Sequence, residues 1–147
     1  MDAIVLRPGE AEALEVGPAH SLIKATADTT GGLFTLSETT LPAGAPSPPL
    51  HTHEKLHDNF YVLEGTLTLH LRDETVEAPA GTFASLPPGV AHTFSNPSRA
   101  PVRFLNLNAP GGFEAYLRDL SAAISADEPP DAADMAALFA RHDVHPA

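Results

Sequence analysis

The segment His51-Thr52-His53-Glu54-Lys55-Leu56-His57-Asp58 places three histidines and two acidic residues in eight positions. It runs straight into Asn59-Phe60-Tyr61-Val62-Leu63, and a further histidine, His92, lies between Pro87-Pro88-Gly89 and Asn96. Residues i and i+2 of a strand share a face, so an extended His51–His53 segment projects both imidazoles the same way. Two neutral imidazoles, a nearby carboxylate and a third imidazole from another strand make a mixed nitrogen and oxygen site for a divalent metal. If a strand starts at Asp58, then Asp58, Phe60 and Val62 share its inner face, while His57, Asn59 and Tyr61 face outward. Asp58 is therefore the favoured carboxylate ligand, and a later strand start would offer His57 instead.

The elements around these residues read as short strands. Ala3 to Leu6, Leu22 to Ala27 and Leu33 to Leu41 are strand candidates, with Thr29-Thr30-Gly31-Gly32 as a turn. Prolines 42, 46, 48 and 49 forbid a helix and leave a stiff loop that delivers His51 extended. Asn59 to Glu64 and Thr66 to Leu71 form a hairpin around Gly65, with Leu67, Leu69 and Leu71 alternating against Thr66, Thr68 and His70. Thr75 to Ala78, Thr82 to Leu86, Ala91 to Phe94 and Val102 to Asn108 follow, separated by Gly and Pro turns. Many short strands so punctuated imply an all-β sandwich or barrel. After Pro110-Gly111-Gly112 the period changes. Phe113, Tyr116, Leu117, Leu120 and Ile124 predict a helix over Gly112 to Ser125. Asp131 caps a second helix to about His142, with Met135, Leu138 and Phe139 on its apolar stripe, and the last residues are expected to fray. The expected organisation is a barrel over residues 1–110 and a helical extension over 111–147.

The chain has 147 residues, enough for one domain, with 43% hydrophobic and 18% charged residues. Its formal net charge is -11, from 8 Lys plus Arg against 19 Asp plus Glu, and no basic run occurs. Binding to a nucleic-acid backbone depends on clustered cations, so no nucleic acid partner is expected. The absence of cysteine excludes disulfides and thiolate ligands. No signal peptide is evident, and no stretch is apolar enough to cross a bilayer, so no membrane partner and a cytoplasmic location are expected.

Two stretches resemble the paired motifs of the cupin superfamily. The second motif, G-x5-P-x-G-x2-H-x3-N, is met in full by Gly81, Pro87, Gly89, His92 and Asn96 within residues 81–96. The first, within residues 49–65, is met by His51, His53 and Gly65. Its opening glycine is displaced by one, with Gly44 preceding Ala45, and its glutamate position holds Asp58. The resemblance covers roughly Leu33 to Asn108. It implies a cupin jelly-roll barrel with C-terminal helices and a metal in the barrel mouth. His51, His53 and His92 would take the imidazole positions and Asp58 the carboxylate position. The wider character of the chain is similar to small bacterial single-domain cupins of the quercetin-dioxygenase-like type, many of which form homodimers.

The expected cofactor is one divalent transition metal, for which Fe, Ni, Mn, Cu, Co and Zn all suit imidazole and carboxylate donors. The leading functional expectation is a dioxygenase acting on an enolic or phenolic aromatic small molecule. The metal would acidify the substrate hydroxyl and Asp58 would accept its proton as general base. The alternatives are a non-redox metal-dependent isomerase or cyclase, and a ligand-binding cupin without chemistry. A shared fold does not choose among them. Phe34, Leu36, Phe60, Val62, Phe83, Phe94, Phe104 and Leu107 are candidates for the core or for a cavity lining. Glu38, Arg103 and Asn106 are candidates for either the cavity or a solvated face. Tyr61 is expected to face outward, and His20, His70, His142 and His145 to lie on the surface.

Overall fold

Side chains that alternate apolar with polar along each strand can bury one face only, and here that face is the inside of a barrel. The computed structural model describes residues 1–147. Its elements, in order, are β1 (Glu12–Val16), β2 (Ala19–Ala25), α1 (Ala27–Thr30), β3 (Thr35–Leu41), β4 (His51–Thr52), β5 (His57–Glu64) and β6 (Thr66–Leu71). They continue with β7 (Thr75–Pro79), β8 (Phe83–Leu86), β9 (His92–Ser95), β10 (Val102–Ala109), α2 (Phe113–Ile124), α3 (Ala132–Arg141) and β11 (His145–Pro146). One sheet runs β1-β2-β3-β10-β5-β8 and the other β11-β4-β9-β6-β7. Every pairing is antiparallel. The fold is the expected all-β jelly roll.

Leu41, Phe60, Val62, Leu67, Leu69, Val102 and Phe104 fill the closed end of the barrel. Phe60, Phe94 and Phe104 form a triangle of rings with centroids 5.6–5.7 Å apart, within the range of favourable aromatic contacts. The expected hairpin of Asn59–Glu64 with Thr66–Leu71 does not form, because β5 pairs with β10 and β8 while β6 pairs with β7 and β9 in the other sheet. The chain crosses between the sheets at Gly65, whose φ is 75°. A Cβ there would lie 2.5 Å from the Pro101 carbonyl oxygen, so only glycine fits. The displaced glycine of the first motif has a similar cause. Gly44 takes the left-handed turn with φ 75°, and buried Ala45 bridges to Asn96. Asn96 clamps the adjoining loops. Its carboxamide donates to the carbonyls of Pro42 at 3.0 Å and Ala100 at 2.8 Å.

Several expectations are corrected. Ala3 to Leu6 forms no strand. The first strand is instead β1, closed on β2 through a Gly17-Pro18 turn and held by Arg118 of α2, 2.7 Å from Glu12. On β3 the inner face carries Thr35, Ser37 and Thr39, and Leu36 points outward. The register with β10 decides this, since Phe104 pairs with Thr39 and shares its inward direction. Leu107 likewise faces out between buried Asn106 and Asn108. Phe83 is exposed on edge strand β8, beside exposed Tyr61. Glu38 and Arg103 lie on the outer face, 2.7 Å apart, whereas Asn106 points inward. His142 is largely covered, donating from Nε2 to the Asp119 carboxylate at 2.7 Å and packing on Tyr116.

Both C-terminal helices form where the apolar period places them. Asp131 and Asp134 cap α3 reciprocally. The chain does not fray after it. β11 pairs with β4, and the Ala147 N–H donates to the Leu50 carbonyl at 2.9 Å. No helix is long and apolar enough to cross a membrane.

Glu114 ties α2 to the barrel. It is buried, and it accepts from the Ala27 N–H at 2.9 Å, the Thr35 hydroxyl at 2.5 Å and the Gly112 N–H at 3.1 Å. Burial pushes its pKa up, but these donors outweigh burial and hold it below the usual carboxylate range. A depressed folded-state pKa stabilises the fold above the unfolded value of 4.5, and this stabilisation is lost as pH falls through the folded value. Glu114→Gln should therefore cost about 1–3 kcal/mol at pH 7. In urea titrations the gap between wild type and variant should persist down to pH 5 and shrink below pH 4.5. An equal gap at pH 7 and pH 3.5 would show that the charge is not what matters.

Candidate metal centre

His51 on β4 and His92 on β9 are register partners, so both rings stand side by side at the barrel mouth. His53 follows one residue past β4, on the same face as His51. The three ring centroids are 4.7–5.4 Å apart. Asp58 comes from β5 in the opposite sheet and points inward with Phe60 and Val62. His53, Asp58 and His92 are only 2%, 4% and 1% exposed. His57 is exposed on the outer face of β5 and takes no part. The strand does start early enough for Asp58 to face the site.

The hydrogen bonds fix which ring atoms face inward. Nδ1 of His51 lies 2.8 Å from the Pro49 carbonyl, Nδ1 of His53 lies 2.8 Å from the Asp143 carbonyl, and Nδ1 of His92 lies 2.9 Å from the Val90 carbonyl. A carbonyl oxygen can only accept, so each Nδ1 carries the proton. In the neutral ring each Nε2 then presents a lone pair. Asp58 Oδ2 lies 2.8 Å from His92 Nε2 and 3.6 Å from His53 Nε2. Its Oδ1 is saturated by the carboxamides of Asn106 and Asn108, both donating at 2.7 Å. His53 Nε2 is buried without a hydrogen-bond partner.

Four inward acceptors thus lie within 4.8 Å of one another. Such a set repels itself unless a proton or a metal cation sits among them. The donor types suit a divalent transition metal, and the carbonyl bonds to each Nδ1 are the arrangement that orients imidazole ligands. The electrostatics agree. Burial lowers the His51 pKa to about 4, with His92 and His53 adding to the effect, which favours the neutral ring that binds metal. Burial also acts on His53, but the Asp58 carboxylate and the Asp143 carbonyl outweigh it and raise that pKa. Burial pushes Asp58 up, and contacts with His53, His92 and Asn106 reverse this, holding it well below the usual range. At 3.6 Å the His53 contact is too long for a hydrogen bond, so its share is electrostatic.

A cavity of about 310 Å³ opens onto this cluster between the barrel and α2. Its walls are mostly apolar, from Phe94, Phe104, Phe113, Leu120 and Phe139, and Lys, Arg and Glu are absent from them. The small inward residues Ser21, Ser37 and Thr39 leave the space open. Phe113 also packs edge-on against His53, with ring centroids 5.9 Å apart. A second group, Glu54, Asp143 and His145, lies nearby but is more exposed and already internally bonded.

Residues 37–108 match the family described as Cupin domain. The barrel is a cupin domain. Over 92 residues this cupin is 34% identical to quercetin 2,3-dioxygenase of Bacillus subtilis (strain 168). That match takes in 61% of this chain but only 26% of the relative's length. The polyketide cyclase RemF from Streptomyces resistomycificus superposes with a TM-score of 0.64 at 27% identity, covering 74% of this chain and 80% of that one. KdgF from Halomonas sp. superposes with a TM-score of 0.67 at 15% identity, covering 78% of this chain and 99% of that one, a likeness of fold.

Sequence reasoning brought together all four inward donors. It missed Asn108 and Asp143, and it left Asn106 between two faces. The pair Asn106 and Asn108 carried a signal, since polar residues at i and i+2 continue the inward row begun by Val102 and Phe104. Asp143 carried none, because its partners lie 87–90 residues away.

Replacing any one of His51, His53 and His92 by Ala should weaken metal binding by more than the 10–100-fold typical of losing an outer partner. Asn106→Ala and Asn108→Ala should each cost about 10–100-fold. Chelator competition with elemental analysis checks both. Wild-type affinity after loss of a histidine would remove that residue from the site.

Proposed function

We propose that His51, His53, His92 and Asp58 hold one divalent transition metal, and that the chain uses it to oxygenate an enolic or phenolic aromatic molecule with dioxygen. The observation that carries this reading is the apolar cavity ending on His51 and Asp58. A neutral planar substrate can bury its rings there, whereas an anionic one meets no cation in the walls. The identity to a quercetin 2,3-dioxygenase supports the oxygenase chemistry. When bound, the metal would supply Lewis acidity toward the substrate hydroxyl and, if redox-active, a meeting point with dioxygen.

The side chains divide the remaining work. Asn106 and Asn108 hold Oδ1 of Asp58, so that Oδ2 faces the three Nε2 atoms. Asp58 is also the one carboxylate in the cavity wall, and it would accept the proton released by the substrate hydroxyl. Its depressed pKa makes it a transient acceptor rather than a final one. Phe113 and its aromatic neighbours exclude water. Tyr116 lines the cavity, and burial alone raises its pKa to about 12, with no hydrogen bond contributing. Its hydroxyl is therefore free to bond a polar group of the substrate.

A second reading is a non-redox cyclase or isomerase using the same site. It is favoured by the likeness to a polyketide cyclase, which spans 80% of that chain. The experiment is to load the protein separately with Fe, Ni, Mn, Cu, Co or Zn and supply flavonols and other enolic aromatics. Oxygen uptake matched to substrate loss is the expected outcome with a redox-active metal. Anaerobic turnover with Zn would replace the first reading by the second, and no turnover across the panel would overturn both. With an active substrate, Tyr116→Phe should raise KM by about fivefold and leave kcat unchanged, as for a uniform binding hydrogen bond.

A further inference from the structure

We propose that the C-terminal segment, residues 143–147, is a clasp that positions His53 as a ligand, with Asp143 as the positioning residue. This rests on the reading of His53 as a metal ligand. His53 stands beyond the end of β4, where its carbonyl accepts from the Gly89 N–H at 2.8 Å, a backbone bond that leaves the direction of the ring open. The clasp supplies the missing restraints. The Asp143 carbonyl accepts from His53 Nδ1 at 2.8 Å, fixing both the tautomer and the ring direction.

The Asp143 carboxylate meanwhile gathers the three N–H groups that follow His53. Oδ1 accepts from Glu54 at 2.8 Å, and Oδ2 accepts from Lys55 at 3.0 Å and Leu56 at 3.3 Å. Successive N–H groups that converge in this way form a nest for an anion, here filled by the chain itself. One residue therefore grips the ligand through its backbone and the ligand's loop through its side chain.

Asp143 can do both because its φ is 58°, a left-handed turn that Asp tolerates better than most residues. The residues on either side lock it there. Buried Val144 anchors the turn, with its N–H on the Phe139 carbonyl at 3.2 Å. β11 pairs His145 with Thr52 and Pro146 with His51, and Ala147 bonds to Leu50. The clasp thus spans residues 50–56 and takes in both histidines of the first motif. It also begins two residues after α3, whose Met135 and Phe139 line the cavity. A purely structural tail needs only the strand pairing. It does not need a bond to the ring nitrogen opposite the inward-facing one.

The test uses the full chain and Co(II), whose visible absorption reports ligand geometry. Asp143→Gly keeps the left-handed backbone and removes the carboxylate. The carbonyl that accepts from His53 Nδ1 remains, but the grip on residues 54–56 that holds it against the ring is lost, so Co(II) binding should weaken by about 10–100-fold, as for a disturbed outer partner. The substitution should also change the visible spectrum while unfolding stays cooperative. Asp143→Asn retains one acceptor oxygen and the turn, so it should fall between, about fivefold weaker than wild type. If both variants bind Co(II) like wild type with an unchanged spectrum, the clasp is only a tether and the proposal is overturned, while the metal site stands. A lower melting temperature with an unchanged spectrum overturns it equally. If Asp143→Gly does not fold, the fivefold loss in Asp143→Asn carries the test, and wild-type affinity there overturns it. Failure of the wild-type protein to bind Co(II) would instead remove the metal reading on which the clasp rests.

Discussion

Three imidazole lone pairs and a carboxylate oxygen converge in a space from which water is largely excluded, and no hydrogen atom of the protein backbone reaches between them. Each ring has spent its proton on a carbonyl, at Pro49, Asp143 and Val90. Acceptors 2.8–3.6 Å apart at low dielectric repel strongly, so positive charge must be shared among them. Everything else at this end of the barrel makes the arrangement tolerable. Asn106 and Asn108 neutralise the outer oxygen of Asp58, and the proline-rich loop and the Pro87-Pro88-Gly89 turn put carbonyls where the Nδ1 atoms need them.

The two-sheet architecture is what allows donors so far apart in the chain to meet. His51 and His92 come from the five-stranded sheet, and Asp58 with its two asparagines comes from the six-stranded one. The site therefore forms only when the sheets are stacked in register. A slip of one residue in β5 would exchange Asp58 for His57 or Asn59 on the inner face. The aromatic triangle below the site resists such a slip, because Phe60 would leave the core with it. Above the site the inward residues shrink to Ser and Thr, and α2 closes the space they leave. Packing thus grades from filled core to open cavity along the same strands.

How much of this was legible depends on the range of the interaction. Strands β5 and β6, the turn between them and both C-terminal helices are specified locally, by alternation, by Gly65 and by the Asp131 cap, and the sequence reading placed them within about two residues, but it joined β5 and β6 as a hairpin where the structure sends them to different sheets. The four inward donors were legible because a strand's period of two, together with motif spacing, fixes direction. The inner face of β3 was not. Thr35, Ser37 and Thr39 look like solvated strand residues until their β10 partners are known, and hydrophobicity alone favoured Phe34 and Leu36. Ala3 to Leu6 has the composition of a strand but makes no strand pairing, and composition alone does not report pairing. The tail was hardest, since Asp143 owes its place to contacts across most of the chain.

The carboxylate at the family's glutamate position shows how a local departure is absorbed. Aspartate is one methylene shorter, so its carboxyl stays closer to β5 than glutamate's would. It still reaches His92 because Asn106 and Asn108, on the neighbouring strand β10, grip Oδ1 and rotate Oδ2 toward the rings. The same grip has a chemical consequence. A carboxylate already accepting two strong hydrogen bonds is stabilised as an anion, so it stays ionised among the rings and is a weaker base. The grip therefore leaves Asp58 a transient proton acceptor only. The burden of acidifying a substrate falls correspondingly on whichever cation the three imidazoles select.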